Sequence, residues 1–141
     1  MKQLVTKIAK SKSLFFAVLA TLFLQQTYAQ EVSSSIDTTQ LKIGEQFRYQ
    51  IKVEANKDFP VVFPEGQTFM PLEMVEAYQI DTTRLKDNKT WQLTREYALT
   101  QWDSGSYVIP KQKIIVNDQS LFTDSIKVEV ATVVVDTTKQ A

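Results

Sequence analysis

A two-residue period, recurring in separate short runs beyond residue 30, constrains the fold of this chain more than any other feature. Phe47, Tyr49, Ile51 and Val53 alternate with Arg48, Gln50, Lys52 and Glu54. Trp91, Leu93, Arg95, Tyr97 and Leu99 alternate with Gln92, Thr94, Glu96 and Ala98, and Ile126, Val128 and Val130 alternate with Lys127 and Glu129. Successive side chains on a strand face opposite ways, so each run has one apolar side and one wet side. Antiparallel sheets packed on one face read this way.

The breaks between runs carry turn residues. Ile43-Gly44-Glu45 precedes the Phe47 run, and Pro60, Pro64 and Gly66 bracket a short apolar segment at 61–63. Asp87-Asn88-Lys89 reads as a hairpin turn between a strand at 79–86 and the Trp91 strand, and Asn117-Asp118-Gln119 as another between strands at 113–116 and 121–130. With further strands at 32–36, 74–78 and 107–109, the pattern predicts about seven to nine short strands. No long helical period occurs beyond the N-terminus. The expected fold class is therefore all-β, an antiparallel sandwich or barrel.

The N-terminus has a different character. Lys2, Lys7, Lys10 and Lys12 form a positive stretch without acidic residues, followed by an apolar run at 14–24 and then Thr27-Tyr28-Ala29-Gln30. Small residues at Thr27 and Ala29 suit the positions before a signal-peptidase cut. The run is far shorter than the roughly 20 apolar residues that a membrane span needs. The expected organisation is a signal-peptide helix at 1–29, one domain at 30–135 and a C-terminal linker or truncated end at 136–141. Cleavage after Ala29 leaves about 110 residues, an ordinary size for one domain with its own core.

Charge and absences narrow the chemistry. The 16 basic and 16 acidic residues balance, but four of the lysines lie in the leader, so the mature part carries a net charge near −4. Such a surface repels phosphate backbones and offers anionic lipid no basic patch, so neither nucleic acid nor a lipid surface is an expected partner. Cysteine and histidine are absent. No disulfide, no zinc site of His and Cys, and no Ser-His-Asp or Cys-His pair can form. Only Gly44, Gly66 and Gly105 are glycines, too far apart for a phosphate cradle. No cofactor, no metal and no catalytic residue is expected.

One motif refines the fold. Asp103-Ser104-Gly105-Ser106-Tyr107 has the D-x-G-x-Y form and directly follows the Trp91 strand. In Greek-key sandwiches this spacing marks a tyrosine corner, with the ring on the core and the hydroxyl on nearby backbone. Asp103, Gly105 and Tyr107 are thus the candidate corner, and the fold is expected to be an immunoglobulin-like sandwich. Ile109 then stands where an antibody domain has its second cysteine, so hydrophobic packing would join the sheets.

The segment from Leu99 to Pro110, with Gly105-Ser106-Tyr107-Val108-Ile109-Pro110 at its centre, resembles the exported N-terminal domain of the BatD family, the Bacteroides aerotolerance proteins. The strand Ile114-Ile115-Val116 and the final strand Ile126-Lys127-Val128-Glu129-Val130 continue the likeness, and Ile43-Gly44-Glu45 is similar to the family's opening turn. The resemblance implies a bacterial envelope protein of Bacteroidetes type, exported to the periplasm or cell envelope. Such proteins carry Ig-like domains outside the inner membrane and a membrane helix further on. Their genes accompany a MoxR-type ATPase and von Willebrand A-domain proteins, with a proposed role in aerotolerance or stress tolerance. The family brings no catalytic residues. This sequence ends at Ala141 without a membrane span, which fits either a fragment or a short secreted relative.

Several local features invite a sharper function. Asp103-Ser104-Gly105 matches the D-[ST]-G signature of aspartic proteases, but the tyrosine corner accounts for the same residues. Asp87-Asn88 and Asn117-Asp118 supply too few oxygens for calcium and read as hairpin turns. Residues 36–39, 80–83 and 135–138 repeat an apolar-Asp-Thr-Thr tetrapeptide whose flanks do not match, so turn chemistry explains it. The stretch 59–72 holds three prolines and three phenylalanines. Its residues Phe59, Val61, Phe63, Phe69, Met70 and Leu72 are the candidate contact with a protein partner, the alternative being that they fill the domain's own core. The leading expectation is a non-enzymatic exported domain acting by protein–protein contact, with further Ig-like domains or von Willebrand A-domain proteins as partners. The alternative is a carbohydrate- or ligand-binding sandwich using Trp91, Tyr97 and Trp102, although alternation places Trp91 and Tyr97 on the core face.

Overall fold

The computed structural model describes residues 30–132. The predicted signal peptide, its cleavage site and the segment 133–141 lie outside the described residues. The described chain is all-β, with 11 strands: β1 (Glu31–Ile36), β2 (Gln40–Lys42), β3 (Phe47–Asn56), β4 (Val61–Val62), β5 (Glu73–Ala77), β6 (Asp81–Arg84), β7 (Thr90–Thr100), β8 (Gly105–Ile109), β9 (Lys113–Val116), β10 (Gln119–Phe122) and β11 (Ile126–Ala131).

The long strands of the alternating pattern form the centre of the first layer. β3 and β7 pair antiparallel over their whole lengths, from Phe47 opposite Leu99 to Asn56 opposite Thr90. β1 flanks β3, and β5 and β6 both pair with the far side of β7. The second layer has two three-stranded sheets. β2 runs parallel to β11, which pairs antiparallel with β8, and β10 and β4 flank β9. This is an immunoglobulin-like β-sandwich, with β8–β9 and β10–β11 as the two arms of one bent hairpin.

The core lies between the layers. Residues directly opposite on paired strands share a face. Phe47, Tyr49, Ile51 and Val53 therefore share a face with Leu99 and Tyr97, and all six are buried. Ile109, Ile114, Val116 and Val128 close the core from the other layer. At its centre the Tyr49, Phe69 and Tyr97 rings meet, with Phe69 centroids 5.2 Å from Tyr49 and 4.9 Å from Tyr97. Both tyrosine hydroxyls are partnered: Tyr97 donates to Pro64 O at 2.9 Å, and Tyr49 shares a 3.2 Å bond with Thr123 Oγ1.

Two strand expectations are corrected. The predicted strand 79–86 narrows to β6, because the edge leaves the ladder at Tyr78–Ile80. Arg95, on the inner row opposite Ile51, turns to this gap and donates from Nε to Tyr78 O at 3.0 Å. The predicted strand 121–130 divides into β10 and β11 at a bend that β8 and β9 share. Pro110 has no N–H for a ladder. At the bend Gln112 N donates to Thr123 Oγ1 at 2.8 Å, and Thr123 N donates to Gln112 O at 2.9 Å. The buried Gln112 amide also donates to Pro110 O and Thr68 O and accepts from the Thr68 hydroxyl, tying the 63–72 loop to the bend.

Candidate interaction face

The bend has a consequence for what the second layer presents outward. On β8 the inner row is Tyr107 and Ile109, whereas on β9 it is Ile114 and Val116. On β11 the inner row is Ile126, Val128 and Val130, whereas on β10 it is Leu121. The row thus changes parity across both arms, as an extra residue in each strand requires. Phe122 would fall on the inner row if β11 ran on unbroken; instead it faces out.

The β9–β10 turn fixes the rest. Asn117 and Asp118 both have positive φ, 48° and 65°, the combination that a two-residue type I′ turn requires. Asn117 N donates to Pro60 O at 2.9 Å, which brings β4 alongside β9. Val62 then lies opposite Ile115, Ile115 opposite Ser120, and Lys113 opposite Phe122. Val62, Lys113, Ile115, Ser120 and Phe122 therefore share the outer face. Phe122 is 60% exposed and Val62 53% exposed, with Ile115 half-buried between their strands. Among the described residues β10 pairs only with β9, and its other edge carries no strand partner there. Val108, on the outer row of β8, adds exposed apolar surface in the same layer.

The six residues of the 59–72 stretch separate. Phe63, Phe69 and Leu72 are buried, and Phe59 and Val61 pack partly buried against the core. Met70 alone of the six is exposed, at 69%. The placement puts five of these side chains in or against the domain's own core, the alternative open to this stretch, and leaves Met70 on the surface. Sequence reading missed the face of Val62, Ile115 and Phe122. Its one signal was the asparagine–aspartate turn, which permits a tight hairpin; the parity change at the bend carries no signature beyond Pro110.

Around the candidate corner, the Tyr107 hydroxyl donates to Asp103 O at 3.0 Å, and Gly105 has φ 146°, a conformation that side chains with a Cβ rarely adopt. The Asp103 backbone is thus held in the turn. The aromatic candidates for sugar binding do not form a row. Tyr97 is buried, Trp91 lies on the inner row opposite Ala55, and Trp102 lies against Gly44.

The remaining polar sites belong to turns and strand faces. Asp87 sits at the β6–β7 turn, where the Thr90 hydroxyl and the Thr90 and Lys89 amides donate to it and hold its carboxyl below the usual range. An open recess of about 880 Å³ adjoins this turn, lined by Gln30, Glu54, Phe59, Leu85 and Lys89 among others. Arg48 pairs with Glu96 at 2.8 Å on the outer face of the first layer, stacked 4.1 Å from the Tyr78 ring. Of the repeated tetrapeptides, residues 36–39 cross the β1–β2 turn while 80–83 enter β6, so the two occupy different environments. Among the described residues no three His, Cys, Asp or Glu side chains group as a metal site would need.

No curated protein matches the chain. A family model described as the BatD DUF11-like domain matches residues 34–130, from within β1 to within β11. The match takes in both layers, the bent hairpin and the outward face on β4, β9 and β10, and by it the chain belongs to the BatD family.

Proposed function

We propose that this chain is a non-enzymatic, exported cell-envelope domain that works by protein–protein contact through the outer face of β4, β9 and β10. The observation that carries the reading is the convergence of Val62, Ile115 and Phe122 on one face, beside a strand edge that has no partner among the described residues. Exposed apolar side chains grouped on a sheet, with an open edge for backbone pairing, suit recognition of another folded domain. Family membership supports the envelope setting and an aerotolerance or stress-tolerance role. The lysine-rich leader supports export to the periplasm. The partner is an envelope protein: a further Ig-like domain or a von Willebrand A-domain protein. Removal of the leader leaves an acidic surface that disfavours nucleic acid.

Site-specific photo-crosslinking in the envelope tests the reading. A benzophenone side chain at Phe122 or Val62 is expected to give one adduct of defined mass, and the same probe at Thr83, on the exposed β6 strand, none. Equal labelling at all three positions, or none at any, would refute the face.

A further inference from the structure

We propose that the partner of the β4, β9 and β10 face is an acidic protein surface, whose carboxylates meet Lys113 and Lys127 around the apolar centre. The inference rests on that face being the contact surface, and adds the chemistry of what it contacts. It starts from a difference between the two outer faces of the sandwich. On the first layer the outward rows of the strands carry Glu31, Glu54, Glu73, Glu76, Asp81 and Glu96, against two cations, Arg48 and Lys52. On the second layer the outward rows carry Lys42, Lys113 and Lys127, against one carboxylate, Glu129, which accepts from the Ser106 hydroxyl at 2.6 Å. Residues 30–141 are acidic as a whole, so the lysine-bearing face is a local reversal of sign.

These lysines stand beside the exposed apolar side chains. Lys113 lies directly opposite Phe122, and Lys127 directly opposite Val108, so each pair shares the outer face. Both lysines are exposed. Arg48–Glu96 is the one ion pair among the described residues, so neither ammonium is neutralised there. A lysine stem covers neighbouring apolar surface while its ammonium stays at the edge. A body that covers Phe122 and Val108 therefore meets Lys113 and Lys127 as well.

Charge complementarity then selects the occupant. A basic surface set against the two ammonium groups is repelled, and an uncharged one must desolvate them without return. An anionic bilayer is held by clusters of about four to eight basic residues. This layer falls short of that, because Asp118 at the β9–β10 turn, Asp124 at the bend and Glu129 are interspersed with its lysines. A folded protein with an apolar centre and a carboxylate rim matches both parts of the face.

The test is photo-crosslinking of the full chain, exported with its leader, from a benzophenone at Val62. Val62 lies opposite Ile115, on a different row from both lysines. Lys113→Glu/Lys127→Glu is expected to lower the yield of the protein adduct about tenfold at equal exported amounts, and Lys113→Arg/Lys127→Arg to preserve it. Lys52→Glu, on the opposite face, is the control and should leave the yield unchanged. Tandem mass spectrometry of the adduct formed with both lysines intact should place the crosslink in a segment richer in Asp and Glu than in Lys and Arg. A yield indifferent to the double reversal, an equal fall for Lys52→Glu, or a crosslinked segment without that excess would overturn the proposal and leave the contact face standing. An adduct of phospholipid mass, or with a second copy of this chain, would overturn the choice of occupant. No adduct with the lysines intact would remove the contact face itself, and the proposal with it.

Discussion

Phe69→Ala separates the two roles open to the 59–72 stretch, core filling and partner contact. Phe69 is fully buried and its ring meets both Tyr49 and Tyr97. A buried phenylalanine removes about 150–200 Å² from water, and at ~25 cal/mol per Å² that is about 4–5 kcal/mol. Alanine keeps Cβ and the neighbours relax only in part, so the expected loss is about 3–5 kcal/mol. A domain of this size has a total stability of about 5–15 kcal/mol, so the variant should lose about a fifth of it or more. The assay is urea unfolding followed by near-UV circular dichroism. With a slope of roughly 1–2 kcal/mol per molar, the midpoint should fall by about 1.5 M or more. Met70→Ala, one residue on and exposed, is the control and should change stability by less than ~0.5 kcal/mol. A loss below about 1 kcal/mol for Phe69→Ala, or an equal loss for Met70→Ala, would refute the placement of this loop in the core.

Two further outcomes follow from buried hydroxyls and from one close approach. Burial raises the pKa of Tyr97 from 10.0 to about 12 and that of Tyr49 in the same direction. An unfolded chain releases these protons first, so the stability they contribute is complete below pH 10 and is lost as pH rises toward 12. Spectrophotometric titration should show a late step that coincides with unfolding and is absent from the Tyr49→Phe/Tyr97→Phe double variant; ionisation of both rings without loss of structure would contradict it. Gly44→Ala should cost roughly 1–2 kcal/mol for the left-handed backbone alone. Gly44 has φ 77°, and a Cβ there would stand 2.7 Å from Trp102 Cζ3. A double-mutant cycle with Trp102→Ala should therefore show coupling, with part of the loss recovered; strict additivity would argue against the contact.

The parts of the fold that the sequence revealed are those where one rule acts alone. The alternation runs through β3 and, except at Arg95, through β7, so pattern and burial agree from Phe47 to Val53 and at Tyr97 and Leu99. Arg95 keeps its place on the inner row because the edge strand opens opposite it and leaves Tyr78 O to be bonded. The second layer is less legible because two irregularities compensate. An extra residue near Pro110 is matched by another near Asp124, so the two arms stay in register while their facing changes. Reading residues 121–130 by their period alone gives one unbroken strand with Phe122 on the row of Ile126, Val128 and Val130; only the pairing reveals that both arms turn over together. The loop at 59–72 fails differently. Its phenylalanines lack any period, and whether they face water or core depends on where the chain crosses the sandwich, which Gln112 decides from 44 residues away through its bonds to Thr68. The outward apolar face thus arises where local pattern is overridden by long-range pairing. Straightening the bend would turn Phe122 back toward the core. The bend therefore shapes the proposed partner surface as well as the fold, and Gln112 and Thr123, buried and absent from the exposed face, become residues on which that surface depends.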